Sequence, residues 1–238
     1  MKIAEALQFE ASPLWKLVKQ CGVDHVVGIF RYDPDDLPAE KPWHLEPMRK
    51  AKAALETAGF NLSVVESRPP MEKIKLGLPG RDEEIEEVCL LLKAMGELKI
   101  PVWCYAWMPV ISWFRTDKDL PDRGGALATG FDLEKSKTMP VVDVGDVSED
   151  DLWKNLQYFL ERVIPVAEEA GVKLAMHLDD PPVSPLRGTP RIMRTIEAYD
   201  RLLDLIPSPS NGIALCQGNF TLMTDDLPGV IRHFGSKQ

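Results

Sequence analysis

Short apolar runs alternate along the chain with stretches whose apolar residues recur at helical spacing. Runs rich in β-branched and aromatic residues that are bounded by turn formers are typical of buried strands. Six such runs predict strands at residues 2–7, 24–30, 61–66, 101–106, 172–177 and 212–216. Each run is followed by an amphipathic stretch, which predicts helices at 13–20, 45–58, 82–96, 148–170, 191–205 and 225–234.

Repeated strand–helix units predict an α/β fold with a parallel sheet. We interpret the pattern as a TIM (β/α)₈-type barrel of which only about six βα units are present, an incomplete barrel. Residues 1–238 are then a single domain that lacks the expected last two βα units. A doubly wound open sheet is the alternative architecture, but no Gly-rich phosphate-binding turn follows the first predicted strand.

The connection after the fourth strand is the longest, about forty residues from Trp107 to Gly145. It contains several aromatic residues, Arg115 and a Gly-rich run at 122–130. Loops of this length within a compact domain are usually functional lids or disordered segments. We therefore expect this connection to lie over the functional site or to be disordered.

The composition excludes some classes of partner. A formal net charge of −9 and an isoelectric point near 5.0 argue against a surface that binds nucleic acid. No apolar stretch approaches the roughly 20 residues of a membrane span. The four cysteines lack CxxC spacing and no signal segment opens the chain, so we expect a cytoplasmic protein without disulfides.

Two predicted strands stop at side chains that bind metals. His177 ends the fifth strand and Cys216 ends the sixth, and 39 positions separate them, about one βα unit. Strand ends in a parallel barrel face the reaction site, so both side chains are expected within reach of one ion. Imidazole and thiolate together favour a first-row transition metal over Mg²⁺ or Ca²⁺. A packed core histidine and a buried structural cysteine are the alternative interpretation.

Charged residues near the same strand ends are candidates for substrate contacts. Asp179 and Asp180 follow His177; one of them is expected to be a turn former and the other, for which we take Asp179, to be functional. Arg187 and Arg191 flank the start of the next predicted helix, where backbone N–H groups already favour anions. With Arg115 they predict an anionic substrate, although a solvated rim of charges would give a similar pattern.

Four segments carry a resemblance to a known family: 73–82 (KIKLGLPGRD), 104–116 (CYAWMPVISWFRT), 163–173 (VIPVAEEAGVK) running into 177–182 (HLDDPP), and 216–219 (CQGN). In these segments the chain resembles mannonate dehydratases of the xylose-isomerase-like barrel superfamily. The resemblance implies a lyase of sugar-acid catabolism, within hexuronate degradation, that converts D-mannonate to 2-dehydro-3-deoxy-D-gluconate with Mn²⁺ or Fe²⁺. It also implies that His177 and Cys216 are two of the metal ligands.

The resemblance carries two departures. Leu178 stands where the family usually has Pro, and residues 217–219 (QGN) stand where it commonly has Thr-Gly-Ser, which bears on substrate preference. The family also continues past the last helix into strands that supply the remaining His and Asp ligands and the acid and base. The catalytic groups are therefore expected beyond Gln238, and a chain of this length is expected to bind metal weakly and turn over little.

Two other functions stay open at this point. A sugar isomerase or epimerase of the same superfamily would interconvert ketoses without loss of water. A non-catalytic remnant would survive by associating through its open sheet edges, and a homo-oligomer is expected in any case because unpaired edges and apolar surface favour association.

Overall fold

The structure is a computed structural model that describes residues 1–237. Its main sheet is parallel and six-stranded, with the strands in the order β1-β2-β3-β4-β7-β8. These strands are β1 (Ala4–Gln8), β2 (His25–Ile29), β3 (Asn61–Val65), β4 (Val102–Ala106), β7 (Lys173–His177) and β8 (Asn211–Ala214). A separate antiparallel hairpin joins β5 (Asp117–Pro121) to β6 (Leu127–Gly130).

Helices connect the strands of the sheet. The longer ones are α1 (Pro13–Gln20), α2 (Leu45–Thr57), α4 (Arg81–Glu97), α6 (Glu149–Ala170), α7 (Ile196–Leu205) and α9 (Leu227–Gly235). The shorter ones are α3 (Glu72–Leu76), α5 (Leu133–Lys137) and α8 (Gln217–Phe220). A full capping box at Ser148 and Asp151 fixes the start of α6, because each residue satisfies a backbone donor of the other.

The two faces of the sheet have different surroundings. Tyr105 and Trp107 pack against Phe159 of α6, with ring centroids 5.9 and 5.4 Å apart, so this side of β4 faces the helices. Side chains alternate along a strand, and Cys104 and Ala106 therefore point to the opposite, concave face. In the register of the sheet Ala106 pairs with His177, which places His177 on that concave face as well.

The sheet is open among the described residues. β1 and β8 lie at its two ends, and within residues 1–237 no pairing joins them. The concave face carries small and apolar residues that are only half-buried, including Val27, Val64, Ala175 and Ala214. The six strands thus form a curved, open parallel sheet, as expected for part of a barrel.

No helix in the described part of the chain has the length and apolarity that crossing a bilayer requires. Cys21, Cys89, Cys104 and Cys216 all carry free thiols.

Six predicted strands are confirmed as the parallel sheet, each within two residues of its predicted ends. The helix predicted at 191–205 begins only at Ile196, so that prediction was wrong for 191–195. The physical reason is that side chains take the backbone donors there: the N–H of Arg191 donates to Ser184 Oγ and that of Met193 donates to Asp179 Oδ2. Arg191 therefore does not lie at a helix start.

The long connection after β4 has more structure than the sequence predicted. It contains the β5–β6 hairpin and α5. The loop after β3 likewise contains a short helix, α3, that the sequence did not predict. These elements are short, and their stability comes from contacts with other loops rather than from a periodic pattern of apolar residues. The alternative of a disordered connection was wrong.

Candidate active site

The carboxyl ends of β7 and β8 bring an imidazole and a thiol to one edge of the sheet. His177 is the last residue of β7 and pairs with Ala214, the last residue of β8. Cys216 follows two residues later and precedes the first turn of α8, and its N–H donates to the carbonyl of Ala214 at 2.9 Å. The two side chains thus come from adjoining strands at the same end of the sheet.

The thiol of Cys216 lies near the concave face. Burial, together with the charges of Glu66 and Cys216, raises the pKa of the Cys104 thiol to about 12. Such charge interactions require the groups to be close. Because Cys104 points to the concave face, the side chains of Glu66, Cys104 and Cys216, from the ends of β3, β4 and β8, lie near one another at this face.

His177 has the tautomer that a metal ligand needs. Its Nδ1 atom lies 2.8 Å from the carbonyl oxygen of Leu178. A carbonyl only accepts hydrogen bonds, so Nδ1 carries the proton and Nε2 keeps a free lone pair. A backbone carbonyl on the second ring nitrogen is the usual arrangement for a ligating histidine.

The donor set fits a transition metal in part. An imidazole nitrogen and a cysteine sulfur suit a first-row transition ion. Within residues 1–237 no group of three or more His, Cys, Asp or Glu side chains converges as a metal site. His177 and Cys216 therefore provide a pair of donors, which is less than the four or more ligands of a stable site.

Asp179 lies in the loop that follows β7. Its side chain is fully buried, and its Oδ2 accepts the N–H of Met193 at 2.8 Å. Burial raises the pKa of this carboxyl to about 6, while the charge of Arg191 opposes the rise. Its other oxygen has no hydrogen-bond partner within residues 1–237. The carboxyl fixes the course of residues 191–193 in this conformation.

Arg115 and Asp180 form a bidentate pair. Nη1 and Nη2 of Arg115 donate to the two carboxylate oxygens at 2.5 and 3.1 Å, and the guanidinium also stacks over Trp113. The N–H of Phe114 donates to the carbonyl of Asp180. The fork of Arg115, predicted to hold a substrate anion, is thus already occupied by a carboxylate of the protein.

Arg191 is also occupied. The side chain is fully buried and donates to the carbonyls of Pro181, Ile111 and Ser112. Contact with a substrate would need these bonds to break. In the present arrangement the guanidinium joins the loop after β4 to the loop after β7.

Arg187 lies farther out, against the long connection. Its Nε donates to the carbonyl of Pro140, and its own carbonyl accepts the N–H of Val142. It borders a cavity of about 480 Å³ between α5 and the loop after β7. Of the three predicted arginines, Arg187 alone has its terminal nitrogens free of hydrogen bonds among residues 1–237.

In the loop after β3, the sequence indicated cations at Lys73, Lys75 and Arg81 but did not single out Glu66 or Arg68 or predict the burial of Lys75. Glu66 directly follows β3, and Arg68 borders a pocket there. Lys75 is fully buried, and its amine donates to Glu72 and to the carbonyl of Met108. The position of Glu66 at a strand end was a signal in the sequence, whereas nothing in a surface-like run of lysines marks Lys75 as buried.

Comparison with known proteins adds family evidence. The model of the family D-mannonate dehydratase (UxuA) matches residues 11–144 and 136–238. A mannonate dehydratase of Streptococcus equi subsp. zooepidemicus is 40% identical over 209 residues, which cover 78% of this chain and 57% of that protein. The chain thus spans less than two thirds of the length of this relative.

Solved structures agree with the fold. The crystal structure of mannonate dehydratase from Streptococcus suis serotype 2 superposes with a TM-score of 0.82 at 37% identity, over 93% of this chain and 64% of that chain. D-psicose 3-epimerase from Clostridium cellulolyticum H10 superposes with a TM-score of 0.66 at 16% identity, over 100% of this chain and 71% of that chain. The second likeness concerns the fold alone, and the sheet is that of a TIM-type barrel.

Proposed function

Because the chain belongs to the D-mannonate dehydratase family, we propose that it takes part in the metal-dependent dehydration of D-mannonate to 2-dehydro-3-deoxy-D-gluconate. The observation that carries the proposal is the placement of His177 and Cys216 at the carboxyl ends of adjoining strands in a chain that the family model matches. Metal dependence is general in this family.

The reaction removes a proton from C2, next to the carboxylate, and expels the hydroxyl from C3. A divalent cation supplies stabilisation of the negative charge that develops on the carboxylate side. His177 through Nε2 and Cys216 through Sγ are the side chains that we assign to holding it. Their lone pairs are then engaged, so neither side chain is the base that takes the C2 proton.

We propose Mn²⁺ or Fe²⁺ as the metal. One nitrogen and one sulfur ligand are compatible with either ion. The remaining ligands and the acid and base are assigned to parts of the family fold other than residues 1–237, in keeping with the greater length of the relatives.

The predicted substrate residues divide into two groups under this proposal. Arg187, whose terminal nitrogens are free, remains a candidate for direct contact. Asp179, Arg115 and Arg191 act by fixing the two loops that border the site, since their polar groups are used within the protein.

Three further expectations belong to the same proposal. We propose that residues 1–238 form one domain, which the shared sheet supports. Free cysteines and the absence of a spanning helix within residues 1–237 support a cytoplasmic location. Open edges at β1 and β8 support self-association.

The test measures the product formed from D-mannonate by the Mn²⁺-loaded 238-residue chain and, in parallel, by the complete product of its gene. From the complete product of the gene we expect a 2-keto-3-deoxy acid lighter than the substrate by one water. From the 238-residue chain we expect little product, because the acid and base are assigned to other parts of the family fold. His177→Ala and Cys216→Ser are expected to lower the rate at least about 100-fold, since each removes a metal ligand. His233→Ala and Cys21→Ser, on the exposed outer surface, are the matched controls.

Two outcomes contradict the proposal. The first is that the metal-loaded complete protein leaves D-mannonate unchanged. The second is a product of unchanged mass, which would indicate an isomerase or epimerase instead.

A further inference from the structure

A pocket of about 440 Å³ opens at the carboxyl ends of β2 and β3. Its polar side chains are those of Tyr32, Glu66, Ser67, Arg68 and Glu72, and Met71 and several prolines provide apolar walls. The charges of Glu66 and Arg68 both act on the thiol of Cys104, so the pocket adjoins the concave face. It is separate from the cavity beside Arg187.

The guanidinium of Arg68 has no partner in the described part of the chain. Its backbone carbonyl accepts a hydrogen bond from the Tyr32 hydroxyl at 3.1 Å, but its side chain forms no hydrogen bond or ion pair within residues 1–237. Arg115 and Arg194, by contrast, each face a carboxylate, and Arg191 donates to three carbonyls. Arg68 is half-buried, so this cation is partly shielded from water and no hydrogen bond of the described residues replaces the lost hydration.

Nearby Glu72 does not hydrogen-bond to Arg68, although, against the effect of burial, the charge of Arg68 helps to lower the pKa of the Glu72 carboxyl. Both oxygens of Glu72 are taken, one by the Lys75 amine at 2.8 Å and the other by the N–H of Val110 at 2.7 Å. Burial raises the pKa of the Tyr32 hydroxyl, and the positive charge of Arg68 opposes that rise. Burial, together with the same charge, lowers the pKa of Lys75 to about 8. The positive potential of Arg68 therefore reaches into the pocket.

Glu66 offers a second, different recognition group. It is exposed, its carboxylate makes no hydrogen bond within the described residues, and two positions separate it from Arg68 at the end of β3. A carboxylate accepts hydrogen bonds from hydroxyl groups. A planar guanidinium binds a carboxylate through two parallel hydrogen bonds. The pocket thus combines a site for one negative charge with an acceptor for hydroxyls.

We propose that Arg68 binds the carboxylate of a polyhydroxy acid and that Glu66 accepts one of its hydroxyls. This inference rests on the proposed function, since it identifies the anion-binding side chain of the same site. A monoanion with hydroxyls fits better than a phosphate, because Glu66 and Glu72 would repel a dianion. Arg115 is less suited, since Asp180 already compensates its charge.

The experiment measures equilibrium binding by calorimetry on the Mn²⁺-loaded full chain. The probes are D-mannonate, D-gluconate and D-glucuronate, with uncharged D-mannitol to report contacts that do not need the carboxylate. Arg68→Gln is expected to weaken acid binding about 10- to 100-fold, the usual effect of losing hydrogen bonds to a charged group. Mannitol binding is expected to stay as it is, and Arg68→Lys is expected to retain part of the affinity.

Arg162→Gln is the matched control, because it removes an equal charge from the outer surface of α6, where the guanidinium stacks on Tyr158. Its acid binding should equal that of the wild type. Equal thermal melting of the two Gln variants shows that both are folded. Glu66→Gln is expected to weaken both the acids and mannitol, since it alters a hydroxyl contact.

The inference is overturned if Arg68→Gln binds the acids as the wild type does, if Arg187→Gln loses the affinity instead, or if the wild type binds none of the acids. Failure of the proposed function looks different. In that case an acid binds with dependence on Arg68, while the complete protein forms no dehydrated product from D-mannonate.

Discussion

Arg115 and Asp180 join the connection after β4 to the loop after β7 through two hydrogen bonds of 2.5 and 3.1 Å. The side chains are only 18% and 12% exposed, so the pair is largely shielded from water. Bidentate pairs in such surroundings also fix geometry. The pair therefore attaches the first part of the long connection to the loop after β7, three residues beyond His177.

Asp180→Asn is expected to lower the free energy of unfolding by about 1.5–3 kcal/mol, the range for a lost hydrogen bond to a charged group. The cause is a guanidinium left in a poorly hydrated place with a neutral partner. Urea denaturation measures the change, and Asp119→Asn on the exposed strand β5 is the control. Equal midpoints for the two variants would show that the pair contributes nothing to stability.

Substitution of Arg191 is expected to destabilise the same two loops, which its side chain joins. Arg191→Lys keeps the charge but replaces a planar fork by a single amine, which cannot serve the carbonyls of Pro181, Ile111 and Ser112 together. We expect a loss of about 2–3 kcal/mol and faster hydrogen exchange in residues 108–116. Arg201→Lys, where the guanidinium stacks on Trp153, should leave that exchange unchanged. Slow exchange in both variants would refute the role of Arg191.

The sequence predicted the sheet better than the loops, and these arginines illustrate why. His177 and Cys216 end apolar runs, and their neighbouring positions follow from the order of βα units. The partner of Arg115 lies 65 residues away, and a carbonyl partner of Arg191 lies 80 residues away. Such pairs depend on which loops come into contact in the folded chain, and the local pattern of apolar and polar residues does not predict them. The late start of α7 has the same origin, since Asp179 and Ser184 bind the backbone before it.

Lys75 predicts a dependence of stability on pH. Burial lowers its pKa from 10.5 to about 8 in the folded chain. Between these values the unfolded chain binds more protons than the folded one, so the contribution of Lys75 to stability rises with pH. Relative to Lys75→Met, the wild-type free energy of unfolding should increase by up to about 1.4 kcal/mol per pH unit above pH 8.

Denaturant unfolding of both proteins from pH 7 to pH 10 provides the measurement. Lys118→Met, at an exposed position of β5, should give a difference from wild type that does not vary with pH. A flat difference for Lys75→Met as well would mean that the amine is not desolvated as described.

Replacing Gly96 with alanine is expected to destabilise the protein, the opposite of the usual effect of this substitution within a helix. Alanine in place of glycine normally stabilises a helix interior by about 1 kcal/mol. At Gly96 of α4, however, an added Cβ would lie 2.7 Å from the backbone oxygen of Ala170, at the end of α6. Gly96→Ala should therefore lower the melting temperature, whereas Gly235→Ala, with open space around it, should not. A more stable Gly96→Ala variant would show that α4 and α6 are less closely packed.

The most direct test concerns one divalent cation held jointly by His177 and Cys216. The chain is loaded with Co²⁺, and the thiolate-to-cobalt charge-transfer absorption is recorded for the wild type, Cys216→Ser, His177→Ala and Cys21→Ser. The account predicts the band in the wild type and in Cys21→Ser, its loss in Cys216→Ser, and a weaker apparent affinity in His177→Ala. A band that persists unchanged in Cys216→Ser would contradict it.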